Sequence, residues 1–395
     1  MSKPRLFYLA PVRMPTEKAH GLQIVQMCEA FALAGYDVTL IVPRRLNTPA
    51  LRGVQDIWAH YGVRRNFALV RLPCLDLFRF FPAHPISQLT VIATYLLALL
   101  VWLMGRRVDV LYTRDPWVGL AMRLFRPRTP LVYEVHRLSG SRWGQKLQNF
   151  VLRRALVVSI TSYMAEQARK RGARHVLTEH DGYRAERFAE MPSRAEARSA
   201  LGIAPNAFVV GYVGRLHTMG LSKGVDTLID GIAQAAQNGV EAELLLVGGP
   251  QEGVELARRQ WQALGLPAER LHAMGTVPAE DVPRYLAALD VGAMLLPWTE
   301  HFAYYASALK LFEYLAAGCA VLASDLPSTA EVVRDGETAL LVPPGNVTAV
   351  AEALHRLYND PALRQKLAEN ARALAPHYTW EARARRIRAF IEERS

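Results

Sequence analysis

Short apolar runs rich in β-branched residues alternate with helical patterns along the first half of the chain. The runs are LFYLAPV, DVTLIVP, DVLYTR, PLVYEVH and LVVSIT, and most intervals between them have apolar residues at helical spacing. This alternation favours parallel βαβ units. The first run leads into Pro11 and a loop that reaches Gly21, and the following helix is predicted to close at Gly35.

The second half repeats this alternation. FVVGYVGRL, ELLLVGG, LHAMGTV and VGAMLLP are predicted strands. The stretch from Pro297 to Asp325 reads as the end of a strand, a loop, a helix capped by Ser307 and a further strand. Helices are predicted at about 347–358 and 360–373, and an amphipathic helix follows at the end of the chain. The predicted fold class is therefore α/β, with two Rossmann-like domains and parallel sheets.

Length and local composition divide the chain in two. Its 395 residues suit two domains of roughly 200 residues each. A stretch rich in Arg, Ala and Glu, with Pro192 inside it, interrupts the pattern near residues 185–200. We predict an N-terminal domain over 1–190 and a C-terminal domain over 191–375.

Charge is spread unevenly between the halves. The net charge is +11, and residues 1–190 carry 28 Lys and Arg against 13 Asp and Glu. A basic half favours an anionic partner, either a phospholipid surface or a polyphosphate-linked acceptor, although a soluble basic face without a dedicated partner has the same composition. Nucleic acid is not favoured, because the basic residues are not gathered with aromatic residues in a recognised motif.

The cysteines and the first apolar run indicate in which cellular compartment the protein is expected. Cys28, Cys74 and Cys319 fit neither a disulfide framework nor a zinc site, which indicates a reducing compartment. LFYLAPV is too short for the apolar region of a signal peptide, and no small-residue cleavage site follows it. A cytoplasmic protein is expected.

Residues 86–105 contain no charge and end at Arg106 and Arg107. Twenty residues are just long enough to cross a bilayer core of about 30 Å. A crossing would separate LFYLAPV from DVLYTR, which the βαβ pattern places in one sheet. We therefore predict a buried helix, with a helix that dips into a membrane surface as the alternative.

Polar residues follow several predicted strands, at the edge of a parallel sheet where ligand sites form. In the first half these are Arg114 and His136, and Gly21 lies between the first strand and its helix. A glycine there lets backbone N–H groups approach a diphosphate, although a simple turn glycine is an equal interpretation. An isolated histidine is more often structural than catalytic.

In the second half, Arg215 and Lys223 flank a glycine-containing loop between a strand and a helix. A guanidinium group and an ammonium group placed there could hold a pyrophosphate. Lys310 and Glu313 lie one turn apart near the mouth of the helix that Ser307 opens. They either face a ligand together or form a surface ion pair.

The segment ALKLFEYLAAGCAVLASD, together with G-R-L and S-K-G around residues 214–224, resembles the donor-binding segments of retaining glycosyltransferases of family 4, which have the GT-B fold. The resemblance implies two domains that face each other across a cleft, with the last helix, 376–395, packed back on the first. It implies that Glu313 binds the ribose hydroxyls of a nucleotide sugar and that Arg215 and Lys223 bind its phosphates. Many relatives have a second Glu where this chain has Tyr305.

Further roles follow from the same resemblance. It places His136 in contact with the transferred sugar and Gly21 against the donor and acceptor. Arg114, Ser307 and Lys310 complete the candidate substrate-binding residues. The implied reaction is a retaining transfer of a hexosyl group from a nucleotide diphosphate sugar, most simply a UDP-sugar, to a hydroxyl of a glycan or lipid-linked acceptor. It would serve polysaccharide or glycoconjugate synthesis.

The implied reaction needs no cofactor and no metal, since no Asp and His cluster has metal-ligand spacing. Anionic membrane contact through the basic half is a further expectation. Two alternatives share the expected cleft: an epimerase that acts on a UDP-sugar, and a non-catalytic glycan-binding protein.

Overall fold

The computed structural model describes residues 3–81, 84–218 and 220–394. The chain divides into two compact units. Unit 1 consists of Met1–His180 and Trp380–Ser395, and unit 2 consists of Asp181–Thr379. The border that we predicted between residues 190 and 191 lies inside unit 2, because the Tyr183 N–H donates to the Tyr378 carbonyl at 3.0 Å and holds this stretch there.

Unit 1 contains a parallel sheet of seven strands within the described residues, in the order β3-β2-β1-β4-β5-β6-β7. Chain order reverses between β1 and β4, which pair in parallel with Leu6 opposite Val110. The strands are β1 Arg5–Leu9, β2 Asp37–Pro43, β3 Ala68–Leu72, β4 Val110–Thr113, β5 Leu131–Val135, β6 Leu156–Ser159 and β7 His175–Thr178.

The helices of unit 1 connect these strands, as the alternating pattern predicts. Short 3₁₀ turns occur at Pro49–Leu51 and Leu77–Arg79. The helices are α1 Ala19–Leu33, α2 Ile57–Tyr61, α3 Pro85–Leu103, α4 Pro116–Phe125, α5 Arg142–Leu152 and α6 Ser162–Lys170.

Helix α3 covers most of the apolar stretch 86–105, and the prediction that it is buried is wrong for half of its surface. One face packs in the core, where the Tyr95 hydroxyl donates to the Ile41 carbonyl at 2.8 Å. The other face is exposed, and Leu97 keeps 66% of its surface accessible. In the described residues α3 is the one helix that is long and apolar enough to cross a membrane, by length and composition alone.

Unit 2 contains a second parallel sheet, with six strands in the described residues and the order β12-β11-β8-β13-β14-β15. Chain order reverses between β8 and β13. A small antiparallel hairpin, β9 and β10, lies apart from this sheet. The strands are β8 Phe208–Val213, β9 His217–Thr218, β10 Leu221–Ser222, β11 Ala242–Val247, β12 Leu271–Gly275, β13 Val291–Met294, β14 Ala320–Ser324 and β15 Leu340–Val342.

The helices of unit 2 cover both faces of the sheet, so its strands are almost continuously apolar. They are α7 Glu186–Ala189, α8 Arg194–Leu201, α9 Val225–Gln237, α10 Gln251–Ala263, α11 Val282–Ala287, α12 Glu300–Tyr304, α13 Leu309–Ala317, α14 Pro327–Ala330, α15 Val347–Asn359 and α16 Pro361–Leu374, with 3₁₀ turns at Ala268–Arg270 and Ala375–Tyr378.

The last helix, α17, spans Trp380–Glu392 and belongs to unit 1, where it packs against α1. Trp380, Ile387 and Ile391 on one of its faces are buried. The same face carries Arg383, whose side chain is only 1% exposed. The helix therefore brings a charged side chain into the interior of unit 1.

Candidate functional site

Each sheet has a point where chain order reverses, and the loops at the carboxyl ends of its strands diverge there to leave a crevice. In unit 1 this point lies between β1 and β4, and in unit 2 between β8 and β13. Most of the candidate residues follow strands close to these points. We describe the two units separately.

Unit 2 has a cavity of about 790 Å³ at the carboxyl ends of β8, β11 and β12. Arg215, His217, Thr276 and Glu313 are the polar side chains among its lining residues. Backbone from Gly214 and from Gly248 and Gly249 completes much of the wall. A volume of this size matches typical small-molecule sites.

Two glycines allow the backbone to approach closely around this cavity. A Cβ atom on Gly248, where φ is +135°, would lie 1.9 Å from the Gly214 carbonyl oxygen. A Cβ on Gly224, where φ is +83°, would lie 1.8 Å from the Leu295 carbonyl oxygen. Gly224 is the N-cap of α9 and follows Lys223 directly. The close approach therefore fixes the position of the Lys223 backbone.

Three cationic side chains gather beside the cavity. Burial lowers the pKa of Lys223, and the nearby Arg215 lowers it further. Burial also lowers the pKa of Lys310 well below its usual range, with a further contribution from Lys223. Lys223 is therefore near both Arg215 and Lys310, which come from separate segments of the chain.

Lys310 is 9% exposed and lies beneath the cavity wall formed by Gly214. Its Nζ atom stands over the Tyr212 ring, 3.5 Å from the centroid. Within the described residues, no hydrogen-bond acceptor reaches Nζ. The alternative of a surface ion pair with Glu313 is therefore wrong, because Lys310 is buried and no salt bridge joins the two among these residues.

Glu313 lines the cavity and keeps part of its surface accessible there. Burial raises the pKa of Glu313 to about 7, although the charges of Arg187 and Lys310 oppose this shift. The carboxyl group therefore titrates near neutral pH. In its ionised form it can accept two hydrogen bonds from a vicinal diol.

The expectation that Ser307 caps the helix is wrong. Helix α13 begins at Leu309, and its N-cap is Ala308. The Ser307 hydroxyl oxygen instead accepts a hydrogen bond from the Asp181 backbone N–H at 2.9 Å. Ser307 lines a separate, much smaller cavity.

In unit 1, the candidate residues Arg114 and His136 meet on one buried carboxylate. Glu134 is fully buried, and its Oε1 atom lies 3.0 Å from Arg114 Nη2, 2.6 Å from His136 Nε2 and 3.0 Å from Arg383 Nη2. The Tyr112 hydroxyl donates to its other oxygen. Burial would raise the pKa of Glu134, but the two guanidinium groups and His136 lower it well below its usual range.

This carboxylate orients the histidine. An ionised carboxylate only accepts hydrogen bonds, so His136 must donate through Nε2–H. Its Nδ1 atom is the ring nitrogen that this carboxylate does not contact. The side chain of His136 is 26% exposed, whereas Arg114 is 13% exposed and also donates to the Gln23 side chain at 3.4 Å. His136 is therefore the more accessible of the two.

Gly21 does not lie in a loop, as we expected, but inside the first turn of α1, which begins at Ala19. Its N–H donates to the Lys18 carbonyl at 2.9 Å, so it is not free for a phosphate. A Cβ at this position would lie 2.4 Å from Thr16 and 2.7 Å from the Tyr61 hydroxyl. Internal packing alone explains the glycine.

Sequence reasoning missed several residues of these clusters. Glu134 and Arg383 organise His136, Arg187 acts on Glu313, and the Tyr212 ring holds Lys310. Glu134 lies only two residues before His136, but the partners of Arg383, Arg187 and Tyr212 lie far away in the chain, so no local spacing indicated these three. Among the described residues, no group of three or more His, Cys, Asp or Glu could hold a metal ion.

Comparison with known proteins agrees with this geometry. A model described as "Glycosyl transferase 4-like domain" matches residues 20–178, within unit 1. A model described as "Glycosyl transferases group 1" matches residues 207–360, within unit 2. Together the two matches cover most of the chain.

Curated relatives match over part of their length. A D-inositol 3-phosphate glycosyltransferase from Streptomyces bingchenggensis is 28% identical over 225 residues, which is 53% of this chain and 46% of that protein. The chain spans about half the length of the curated relatives that it matches.

Solved structures resemble the whole chain in fold. Sucrose-phosphate synthase from Thermosynechococcus elongatus has a TM-score of 0.72 and 20% identity, and the match covers 98% of each chain. HepE of Anabaena, in complex with UDP, has a TM-score of 0.71 and 20% identity over 98% of this chain and 100% of that one. With the family matches in both units, these findings mean that the chain belongs to the family 4 type of glycosyltransferases with the GT-B fold.

Proposed function

We propose that this protein is a retaining glycosyltransferase that moves a hexosyl group from a UDP-sugar to a hydroxyl of a glycan or lipid-linked acceptor. The observation that carries the proposal is the cavity of unit 2, which Arg215 and Glu313 line, with Lys223 near Arg215 and Lys310 near Glu313. HepE of Anabaena has also been solved with UDP-glucose, which supports a uridine nucleotide as the donor.

The cations would act on the charge that develops during transfer. When the bond between the sugar anomeric carbon and the diphosphate oxygen breaks, negative charge builds on the diphosphate. Arg215 and Lys223 would stabilise it where it forms, and Glu313 would hold the ribose hydroxyls. Thr276 and Val277 line the same cavity and would meet the base.

The rest of the reaction follows the family pattern. The acceptor oxygen attacks the anomeric carbon on the face from which the diphosphate leaves, and the acceptor proton passes to the departing phosphate. The proposal assigns to His136 the role of contacting the transferred sugar. It requires no metal and no covalent enzyme intermediate, and it places the reaction in the cytoplasm.

An epimerase acting on a UDP-sugar and a non-catalytic glycan-binding protein remain the alternatives. The Tyr at position 305, where many family members have Glu, favours the second. Measurements of nucleotide-sugar binding and of turnover distinguish the transferase, the epimerase and the glycan-binding protein. Nucleotide sugars at 100 times their dissociation constant should raise the free energy of unfolding by about 2.7 kcal/mol.

We expect UDP-sugars to raise the melting temperature and to be consumed faster with acceptor than without it. Scanning fluorimetry with a panel of nucleotide sugars, followed by assays of UDP release, measures both. UDP release that no acceptor increases, together with interconversion of the sugar, would favour the epimerase. No thermal shift with any uridine nucleotide would favour the glycan-binding protein.

Removal of either phosphate-binding cation should slow transfer. Arg215→Ala and Lys223→Ala should each lower kcat/KM by about 10²-fold or more, because each loses stabilisation of leaving-group charge. Arg259→Ala, at an exposed arginine of α10, is the matched control and should stay within twofold. Wild-type kcat/KM in either cavity variant would remove that residue from the mechanism.

Glu313 should make donor binding depend on pH. Its pKa is raised to about 7 in the folded protein, so its ionised form is depleted as the pH falls below 7. If the ionised carboxyl binds the ribose, UDP affinity should fall by up to tenfold for each pH unit below about 7. Calorimetry should show this fall in UDP affinity at low pH in the wild type but not in Glu313→Gln. Identical pH profiles for both proteins would exclude the role.

Glu134 should act by holding His136 and the two arginines. Glu134→Gln removes a buried negative charge that the guanidinium groups of Arg114 and Arg383 both contact, which should cost about 3–5 kcal/mol of unfolding free energy. The native pKa of Glu134 is depressed, so this loss should be complete above about pH 4.5 and shrink as the pH falls through the native pKa.

Denaturation in urea at several pH values measures this loss. His136→Gln is the matched control, because His136 is partly exposed; we expect it to lower kcat and to leave the unfolding free energy within about 1 kcal/mol. A Glu134→Gln protein as stable as the wild type would contradict the account of the cluster.

A further inference from the structure

The exposed face of α3 is apolar along its whole length. Its exposed positions recur every three or four residues, which places them on one side of the helix. Four of its large side chains, in addition to Met104 at the helix end, keep 47% to 66% of their surface accessible. At 1.5 Å per residue the stripe is roughly 27 Å long. It consists of Ile86, Leu89, Ala93, Leu97, Val101 and Met104.

Aromatic and basic residues mark the two ends of this stripe. Phe80 and Phe81 are exposed just before the helix. At the other end the Arg106 guanidinium lies over the Trp102 ring, 4.3 Å from its centroid, and Arg107 is exposed. Aromatic rings and arginines at the borders of an apolar surface are typical of helices at a lipid–water interface.

A strongly basic cavity of about 680 Å³ lies next to the end of α3. Among the residues that the structure describes, six arginines and no carboxylate line it: Arg123, Arg128, Arg153, Arg154, Arg174 and Arg394. The Arg123 guanidinium is used internally and donates to the carbonyls of Pro127 and Arg154. Within the described residues, Arg128, Arg153 and Arg174 show no hydrogen bond or ion pair to protein, so their guanidinium groups are available.

Helix α4 joins the stripe to the cavity. Arg126 Nη2, which follows this helix, donates to the Leu103 carbonyl of α3 at 2.6 Å and to the Arg106 carbonyl at 3.2 Å. Arg123 and Leu124 in the last turn of α4 line the cavity, and Leu124 is itself 68% exposed. The C-terminal end of the apolar stripe and the arginine-lined cavity therefore lie next to each other in unit 1 and together define one surface.

This surface is separate from the cluster around Glu134. The cavity lies at the amino ends of β5, β6 and β7, where Leu131, Leu156 and His175 line it. His136 follows the carboxyl end of β5, a strand of five residues. At 3.3 Å per residue the two sites are roughly 17 Å apart. Lipid binding and activity can therefore be measured independently.

We propose that this surface docks on an anionic phospholipid membrane: the apolar stripe of α3 enters the acyl region and the arginine-lined cavity takes lipid phosphate groups. Unit 1 carries 31 Lys and Arg against 13 Asp and Glu, so its charge is complementary to such a membrane. A protein partner would need hydrogen-bonding groups across its interface, and Gln88 is the one polar side chain among the exposed residues of 86–104.

The helix lies on the membrane and does not cross it. The face opposite the stripe is fixed in the core of unit 1, where Val91, Tyr95 and Leu99 are fully buried. A crossing helix would have to expose this face to lipid and release it from the sheet. Docking by one face needs no such rearrangement.

Vesicle flotation of the full chain tests the proposal. We expect binding to phosphatidylcholine vesicles that contain phosphatidylglycerol to be at least tenfold stronger than binding to phosphatidylcholine alone, and to weaken at about 0.5 M NaCl. Leu89→Glu/Leu97→Glu should lower it at least tenfold. Arg128→Gln/Arg174→Gln should lower it roughly fivefold for each arginine, and only on anionic vesicles.

Two exposed positions on α10 of unit 2 provide matched controls. Leu256→Glu and Arg259→Gln repeat the same chemical changes away from the surface and should bind within twofold of the wild type. Vesicle binding that is equal in the wild type and in both surface variants, or that is lost equally in the controls, would overturn the proposal.

Two further outcomes would also overturn it. One is a rise in melting temperature with inorganic pyrophosphate that needs Arg128 and Arg174 and occurs without any vesicle binding; the cavity would then take a free phosphate compound. The other is a dimer that sedimentation detects without lipid and that Leu89→Glu/Leu97→Glu separates; a second copy would then cover the stripe. We expect neither result.

Discussion

A buried lysine side chain that lacks a hydrogen-bond acceptor among the described residues governs the cavity of unit 2. Lys310 Nζ rests on the face of the Tyr212 ring, and within the described residues it has no hydrogen-bond acceptor. An unpaired buried charge is costly, so the group loses part of its tendency to be protonated. Lys223 adds to this cost and Glu313 relieves it. An anion bound in the cavity would stabilise the protonated form of each lysine and so oppose the effect of burial. The cavity is therefore organised for a ligand that carries negative charge.

The carboxyl cluster of unit 1 is built in the opposite way. Glu134 is equally buried, but two guanidinium groups, a tyrosine hydroxyl and an imidazole surround it. Its charge is satisfied without any ligand. Such a cluster is rigid, and its effect is to fix the orientation of His136. The two units thus contribute different properties. Unit 2 has an excess of positive charge at its cavity, and unit 1 holds His136 in a fixed orientation.

Periodicity predicts five of the seven strands described in unit 1 and misses the short strands β3 and β7. Position near a strand end, together with the resemblance to the family, selects Arg215, Lys223 and Glu313 as candidates. The sequence could not reveal Arg383, because its contact with Glu134 joins residues 249 positions apart. Gly21 was misplaced because a glycine in the first turn of a helix has the same local sequence as one in a preceding loop. The prediction of a buried α3 fails for one face because both faces are apolar, so hydropathy cannot distinguish the packed face from the exposed one.

The net charge of unit 1 does not show what each of its arginines does. In unit 1, Arg383 neutralises a buried carboxylate, Arg123 ties backbone carbonyls together, and Arg174 faces a cavity without a protein partner in the described residues. The guanidinium groups of Arg383 and Arg123 are bonded within unit 1, and only that of Arg174 is available to an external partner. The excess of arginine in this half of the chain therefore has two separate causes. At the amino ends of β5, β6 and β7, the side chains of Arg128 and Arg174 make no hydrogen bond or ion pair in the described residues, and the proposed external anion would give these charges a partner.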